Sequence, residues 1–306
     1  MNTRHARIIL TIIREGSFTA AAKALYITQP TLSQTVRQIE TQLGESIFVR
    51  SHSSISLTPA GELYAQAARR IVQAETQLQE SLSQLRGHAV GTLRLGLTVH
   101  RSVELLPQVL PDFNAAYPDV QLEVCEGSAS RLEHMLLRSE LDMALLTADR
   151  QNPSLEYRQI ASEEIVLLAG KNTALAKRIA SGSTIGLREA ASERFVLPAP
   201  SSNSRAFYDD LFTSCGFTPD TRIVCDNTTA AMRCCSSCSL VTLSPFISFL
   251  CDTDCMHKLS HYHLGTDAYL PPIYMVCSKE QPLAPYAESF FTLLSRRFRA
   301  MTAYRL

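Results

Sequence analysis

Apolar residues recur at helical spacing through the first 85 positions, after which the pattern alternates between strand and helix. In Thr28–Gly44, Leu32, Val36, Ile39 and Leu43 step by four, three and four, which makes one apolar face of a helix. Thr28 suits its N-cap, Pro30 its first turn and Gly44 its left-handed stop. Ahead of it, Ser17–Leu25 reads as a short helix capped by Ser17. Its Ala20, Ala21 and Ala22 are small enough for a following helix to cross closely after a Tyr26-Ile27 turn. A first helix covers roughly Thr3–Glu15, with Ala6, Ile9, Leu10 and Ile13 turned to the core, and Ile47–Leu57 reads as two short strands around a polar turn.

From Pro59 to about Arg86-Gly87 one long helix carries Leu63, Ala67, Ile71, Ala74, Leu78, Leu82 and Leu85 as a single seam. A seam this narrow, about 35 to 40 Å long, cannot be buried by its own helix. The same helix of a second copy is the simplest cover, and docking on the chain's own C-terminal module is the other. Beyond a Gly87–Gly91 hinge the elements run strand Thr92–Val99, helix Val103–Ala116, strand Val120–Cys125, helix Ser128–Arg138 and strand Leu141–Leu146. That βαβαβ order implies a parallel sheet covered by helices. Ile160–Gly170 crosses to a second unit: Phe195–Leu197, helix Ser204–Cys215, Arg222–Cys225, helix Thr228–Ser236 and Leu240–Leu243. Tyr269–Cys277 returns as a strand and Pro285–Arg299 closes as a helix.

Charge sharpens the division. The 306-residue chain is formally neutral, yet residues 1–58 carry six Lys/Arg against three Glu, and residues 91–306 carry twenty against twenty-three acids. A mildly basic end on an acidic remainder suits contact with a polyanion at one end only, with affinity resting on dimerisation. No stretch has the length of a membrane span, Ile8–Ile13 is too short for a signal peptide, and the nine cysteines are then expected to be reduced in a cytoplasm.

The polar face of the third helix carries Gln29, Thr31, Ser33, Gln34, Arg37 and Gln38. These are short hydrogen-bonders with one cation, suited to base edges in a major groove. The run EGSFTAAAKALYITQPTLSQTVRQIETQLGESIFVR followed by LTPAG resembles the winged helix-turn-helix signature of LysR-type transcriptional regulators. The resemblance implies a multidomain α and α/β chain in three parts. Residues 1–58 are a winged helix-turn-helix DNA-binding domain and 59–87 a linker and dimerisation helix. Residues 91–306 are a two-lobed, periplasmic-binding-protein-like effector domain (lobe 1, 91–161 and 267–306; lobe 2, 162–266). It implies DNA contacts at Ser17, Thr28, Gln29, Pro30, Thr31, Ser33, Gln34, Arg37, Arg50 and Ser53. His52, Ser53 and Ser54 stand in the wing where the family usually has Arg or Lys. Expected partners are double-stranded operator DNA, further copies of the chain as a homodimer or homotetramer, a small-molecule effector and RNA polymerase. Neither a membrane nor a cofactor is expected.

In open α/β sheets ligands sit beyond the carboxyl ends of strands, near helix N-termini. Those loops offer Thr98, His100, Arg101, Ser102, Ser128, Thr147, Ser202 and Ser204, groups suited to a small anionic effector such as a carboxylate. Each hydroxyl could equally be a plain N-cap, and Arg101 could equally sit in an ion pair. Cys234, Cys235 and Cys238, with Cys251, Cys255 and His257, could make a zinc or thiol–disulfide sensor, or be small buried hydrophobes. Glycine is also missing before the strand at Leu240, where the family often turns. An enzyme on an α/β module is the competing class, but GxSxG, HExxH, P-loop and dinucleotide glycine patterns are absent.

Overall fold

The computed structural model of the chain describes all residues except 1, 50–54, 86–88, 149, 201, 266–269 and 303–306. Helix α1 (Thr3–Glu15) is capped by Asn2, whose side chain accepts from His5 N at 2.8 Å, and it stops at Gly16 with φ 62°. Helix α2 (Phe18–Ala24) is capped by Ser17, and α3 (Gln29–Leu43) by Thr28, with Gly44 left-handed at φ 80°. Strands β1 (Phe48–Val49) and β2 (Ser56–Leu57) pair antiparallel as the wing. Glu40 of α3 accepts from Ile47 N at 2.8 Å and from Phe48 N at 3.4 Å, tying α3 to the start of β1.

The core here differs from the expected set. Ile8 and Ile12 are buried beside Ala6 and Ile9, whereas Leu10 and Ile13 are only half-buried. Helix α4 (Pro59–Leu85) adds Tyr64 and Ala68 to the same core, and Leu10 and Ile13 pack against its edge. Leu43 is 43% exposed, because it ends α3 beyond the reach of that core. Where α4 begins, a Cβ on Gly61 would lie 2.0 Å from the Ile47 carbonyl oxygen. Gly61→Ala is therefore expected to cost about 1–3 kcal/mol, seen as a lower melting temperature of the full chain.

Helix α4 divides its two sides. Its polar side docks on the C-terminal module through Arg69–Glu140 (3.3 Å) and Arg70–Glu280 (2.6 Å). Gln73 Nε2 donates to Asp142 at 3.1 Å, and Gln77 Nε2 to the Pro282 carbonyl at 2.9 Å. Part of the apolar seam is left outside, with Leu63 69%, Leu78 59% and Leu82 44% exposed. The helix thus does lie on the chain's own C-terminal module; of the seam, Ile71 packs half-buried against the N-terminal core, while Leu63, Leu78 and Leu82 stay exposed.

The module is built on two five-stranded sheets. The first uses β3 (Gly91–Leu97), β4 (Val120–Glu126), β5 (Met143–Thr147), β6 (Leu155–Ser162) and, much later, β12 (Pro272–Ser278), in the order β4-β3-β5-β12-β6. The second uses β7 (Ile165–Gly170), β8 (Arg194–Leu197), β9 (Asp220–Val224), β10 (Val241–Pro245) and β11 (Leu259–Tyr262), in the order β11-β7-β10-β8-β9. Helices α5 (Val99–Ala116) and α6 (Ala129–Leu137) connect strands of the first sheet. In the second lobe run α7 (Ala174–Arg178), α8 (Asn203–Ser214), α9 (Thr228–Ser237), α10 (Phe246–Cys251) and α11 (Thr253–Lys258). Helix α12 (Pro285–Thr302) closes the first lobe, packing Phe290, Leu294 and Phe298 into its core.

Three expectations are corrected. The sheets are mixed: β12 runs antiparallel to β5 and β6, and β7 antiparallel to β10 and β11, because those strands belong to the crossovers between lobes. The single stretch Ile160–Gly170 is the end of β6, a turn at Glu163-Glu164, and β7. Helix α5 starts at Val99, not Val103, so residues 99–102 form its first turn. No glycine is needed before Leu240, since the C-cap Cys238 has an extended φ of −129°. The close approach falls instead at Gly170, where a Cβ would lie 2.4 Å from the Cys235 carbonyl oxygen.

Candidate functional site

The outward side of α3 is polar and open. Gln29, Pro30, Thr31, Gln34 and Arg37 are exposed, and Ser33 is half-buried, its hydroxyl accepting from Gln29 Nε2 at 3.1 Å. Ser17 and Thr28 are committed as caps to Ala20 N and Thr31 N, both at 3.4 Å, and the Thr28 and Thr31 hydroxyls lie 2.8 Å apart. What remains for a partner is a row of amides with Arg37 beside it. Arg50 and Ser53 lie outside the described residues. Tyr26, in the turn between α2 and α3, is 96% exposed with a left-handed φ of 55°, directly ahead of α3. An aromatic residue between two helix signals was the available clue.

The second site is a cleft of about 650 Å³ between the lobes. Thr98, His100, Ser128, Thr147, Ser202 and Ser204 all line it. They come from the ends of β3, β4 and β5 and from the start of α8, as expected for loops beyond strand termini. The N-cap alternative now separates them. Ser128 does cap, accepting from Arg131 N at 3.4 Å. Thr98 and Ser202 occupy N-cap positions of α5 and α8 without a side-chain cap bond. Thr98 Oγ1 is buried with no hydrogen-bond partner, while Ser202 Oγ lies 2.9 Å from Ser204 Oγ.

Two expected cleft groups are placed differently. Ser102 does not line the cleft, because it sits inside the first turn of α5 and its hydroxyl donates to the Thr98 carbonyl at 3.4 Å. Arg101 reaches the cleft wall but is only 3% exposed, and its charge is committed. The guanidinium grips Glu163 with both terminal nitrogens, lies 3.5 Å from Glu104, and sits over the Phe298 ring at 5.4 Å. Desolvation, with Arg101 adding, pushes the pKa of His100 down to about 3, so its ring is neutral near pH 7. An anion here would therefore be met by helix N-termini and hydroxyls, not by an uncommitted side-chain cation.

The acids around Arg101 give a pH dependence. Burial raises the pKa of Glu104 to about 7, opposed by Arg101 and by the Ser248 hydroxyl that donates to it, with Glu163 adding to the rise. A carboxyl that holds its proton more tightly when folded favours the native state at low pH. That stability is lost as pH rises from the ordinary carboxylate range through 7. Between pH 5 and 8 the chain is expected to lose stability on the order of 1–3 kcal/mol relative to Glu104→Gln, measured by denaturant titration of both proteins.

The cysteines divide between core and surface, with Cys235 and Cys255 buried and Cys238 and Cys251 exposed. Among the described residues no group of three His, Cys, Asp or Glu could hold a metal ion. Burial pushes the Cys235 thiol well up and Cys255 to about 11, the opposite of a reactive thiolate. Cys235 and Cys255 pack with Val166, Leu168 and Met232 as core.

Two family models match the chain: the bacterial regulatory helix-turn-helix protein of the lysR family over residues 3–62, and the LysR substrate binding domain over residues 86–299. The transcriptional regulator CfxR of Cupriavidus necator is 30% identical over 219 residues, 72% of this chain and 68% of that protein. The uncharacterized regulator YcgK of Bacillus subtilis is 33% identical over 161 residues, 52% of this chain, and the match spans about half (49%) of YcgK. Among solved structures, a full-length OxyR variant from Pseudomonas aeruginosa superposes with a TM-score of 0.76 at 20% identity, covering 98% of this chain and 95% of that one. Full-length CbnR in complex with its target DNA superposes with a TM-score of 0.65 at 21% identity, covering 97% and 100%. No helix among the described residues is long and apolar enough to cross a membrane.

Proposed function

Because the chain belongs to the LysR family of bacterial transcriptional regulators, we propose that it reads operator DNA with the exposed side of α3. Gln29, Ser33 and Gln34 face base edges, Arg37 faces phosphate, and two copies are joined along the α4 seam. A small molecule bound between the lobes, against Thr98, Ser128, Thr147 and Ser202, alters the spacing of the two recognition helices. The observation that carries this reading is the pairing of two uncovered surfaces: a polar row on α3 and an apolar seam on α4. A lone copy leaves Leu63, Leu78 and Leu82 in water, and one two-fold interface covers them while duplicating α3.

The α4 side that grips lobe 1 gives a path for the switch. Arg69, Arg70, Gln73 and Gln77 fix the helix to that lobe, and the recognition helix is tied to the start of α4 through the wing. A rotation of lobe 1 therefore moves a stiff lever. The experiment is a gel shift with DNA from upstream of the chain's own gene, titrated with salt. Retardation that outlasts competition by unrelated DNA at rising salt is expected. Equal retardation of both DNAs at every salt concentration would overturn the reading.

A further inference from the structure

The charge pattern of the cleft points to the chemistry of its ligand. Each lobe ends a strand on the same motif: Val124-Cys125-Glu126-Gly127-Ser128 runs from β4 to α6, and Val224-Cys225-Asp226-Asn227-Thr228 runs from β9 to α9. Glu126 and Asp226 are both exposed and both line the cleft, one from each lobe. Asp226 is held in place by accepting from Ala199 N at 2.7 Å. Neither carboxylate forms an ion pair among the described residues, and the only Lys or Arg among the described cleft-lining residues is Arg101, which is committed to Glu163 and Glu104. Two like charges facing one space across a hinge oppose closure until a cation lies between them.

The other side of the same cleft is made for an anion. Thr98 caps α5 and Ser202 caps α8 without spending their hydroxyls on the helix amides. These helices run 18 and 12 residues, long enough for their N-termini to favour negative charge. Thr98 Oγ1 has no hydrogen-bond partner among the described residues, although Thr98 itself lines the cleft. A simple carboxylate would satisfy this side and leave the two acids unopposed. A simple amine would do the reverse.

We propose that the effector is a small zwitterion of the amino-acid type. Its carboxylate lies at the α5 and α8 N-termini against Thr98 and Ser202, and its ammonium lies between Glu126 and Asp226. Its apolar body rests on Leu145, Phe207 and Tyr208. This inference rests on the proposal that the interlobe cleft is the effector site. Closure follows from neutralising the two facing carboxylates, which couples ligand charge to lobe movement.

The test uses the full chain, with thermal shift and calorimetry on matched probes at millimolar concentration. The twenty L-amino acids are each compared with the amine lacking the carboxylate and the acid lacking the amine, such as L-phenylalanine, phenethylamine and 3-phenylpropanoate. At least one amino acid is expected to raise the melting temperature and to bind about ten-fold or more tighter than either of its truncated partners. Glu126→Gln with Asp226→Asn is expected to abolish that advantage, with the truncated acid binding at least as tightly as it does to the native chain. The proposal is overturned if the truncated acid binds as well as its amino acid, if the double variant binds the amino acid undiminished, or if no amino acid stabilises the protein. The underlying reading fails differently. In that case a cleft-filling Thr147→Trp leaves every ligand's effect on operator retardation untouched, whatever the ligand's charge.

Discussion

Alanine at Gln29, Ser33 and Gln34 together is expected to abolish operator preference and to leave the fold intact. All three lie on the outward side of α3, and Ser33 is linked only to Gln29 within that row. Losing one well-made base contact costs about 1–3 kcal/mol of discrimination, and a two-fold dimer loses each contact twice. Specific affinity therefore falls by at least about 10²-fold toward the non-specific level. The core beneath, formed by Leu32, Val36 and Ile39, is untouched, so the melting temperature stays within the range of surface substitutions. The salt dependence of the remaining binding stays as steep, because phosphate contacts persist. Arg37→Ala gives the complementary result, weakening all DNA binding alike and flattening the salt slope. Competition binding with specific and scrambled DNA separates the two.

Glutamate at Leu78 and Leu82 is expected to convert the protein to a monomer with intact domains. Both side chains are already exposed in the single copy, so the substitution removes nothing from its own core. Across a two-fold interface each leucine counts twice. Burying one leucine contributes about 1.5–3 kcal/mol, and the new carboxylates face their own images at the seam. Together these effects raise the dimer dissociation constant by well over about 10³-fold. Sedimentation is expected to show single chains at concentrations where the native protein is paired, and operator affinity drops to that of one half-site. Native-like pairing in this variant would mean that the copies meet elsewhere.

Sequence periodicity was most informative where local chemistry alone decides the structure. The caps Ser17 and Thr28 and the stops Gly16 and Gly44 are local events, and the helices between them fall within a residue or two of their expected bounds. The long helix was legible because a period near 3.6 persisted over many turns. What escaped depended on distant partners. For Arg101 the choice between cleft cation and ion pair stays open in the sequence, because its partner Glu163 lies 62 positions away. Strand β6 escapes a local reading because the apolar/polar alternation of Leu155-Glu156-Tyr157-Arg158 breaks at Gln159-Ile160, and the edge strand is fixed by pairing with β12, more than a hundred residues later. Leu10 and Ile13 do pack against the core, but at its edge, while Ile8 and Ile12 lie deeper in it. Cleft hydroxyls could be named from strand ends, but which ones act as caps depended on side-chain geometry. The facing acids Glu126 and Asp226 were not recognised, although the repeated strand-end motif was present in the sequence.

Guanine methylation interference on the operator, read with the full-length protein, tests most directly whether α3 enters the groove in duplicate. The expected pattern is two major-groove patches on one face of the duplex, separated by about 10 base pairs or a multiple of that. Both patches should vanish in the Gln29, Ser33 and Gln34 variant. A single patch, or two patches indifferent to those substitutions, would contradict the account.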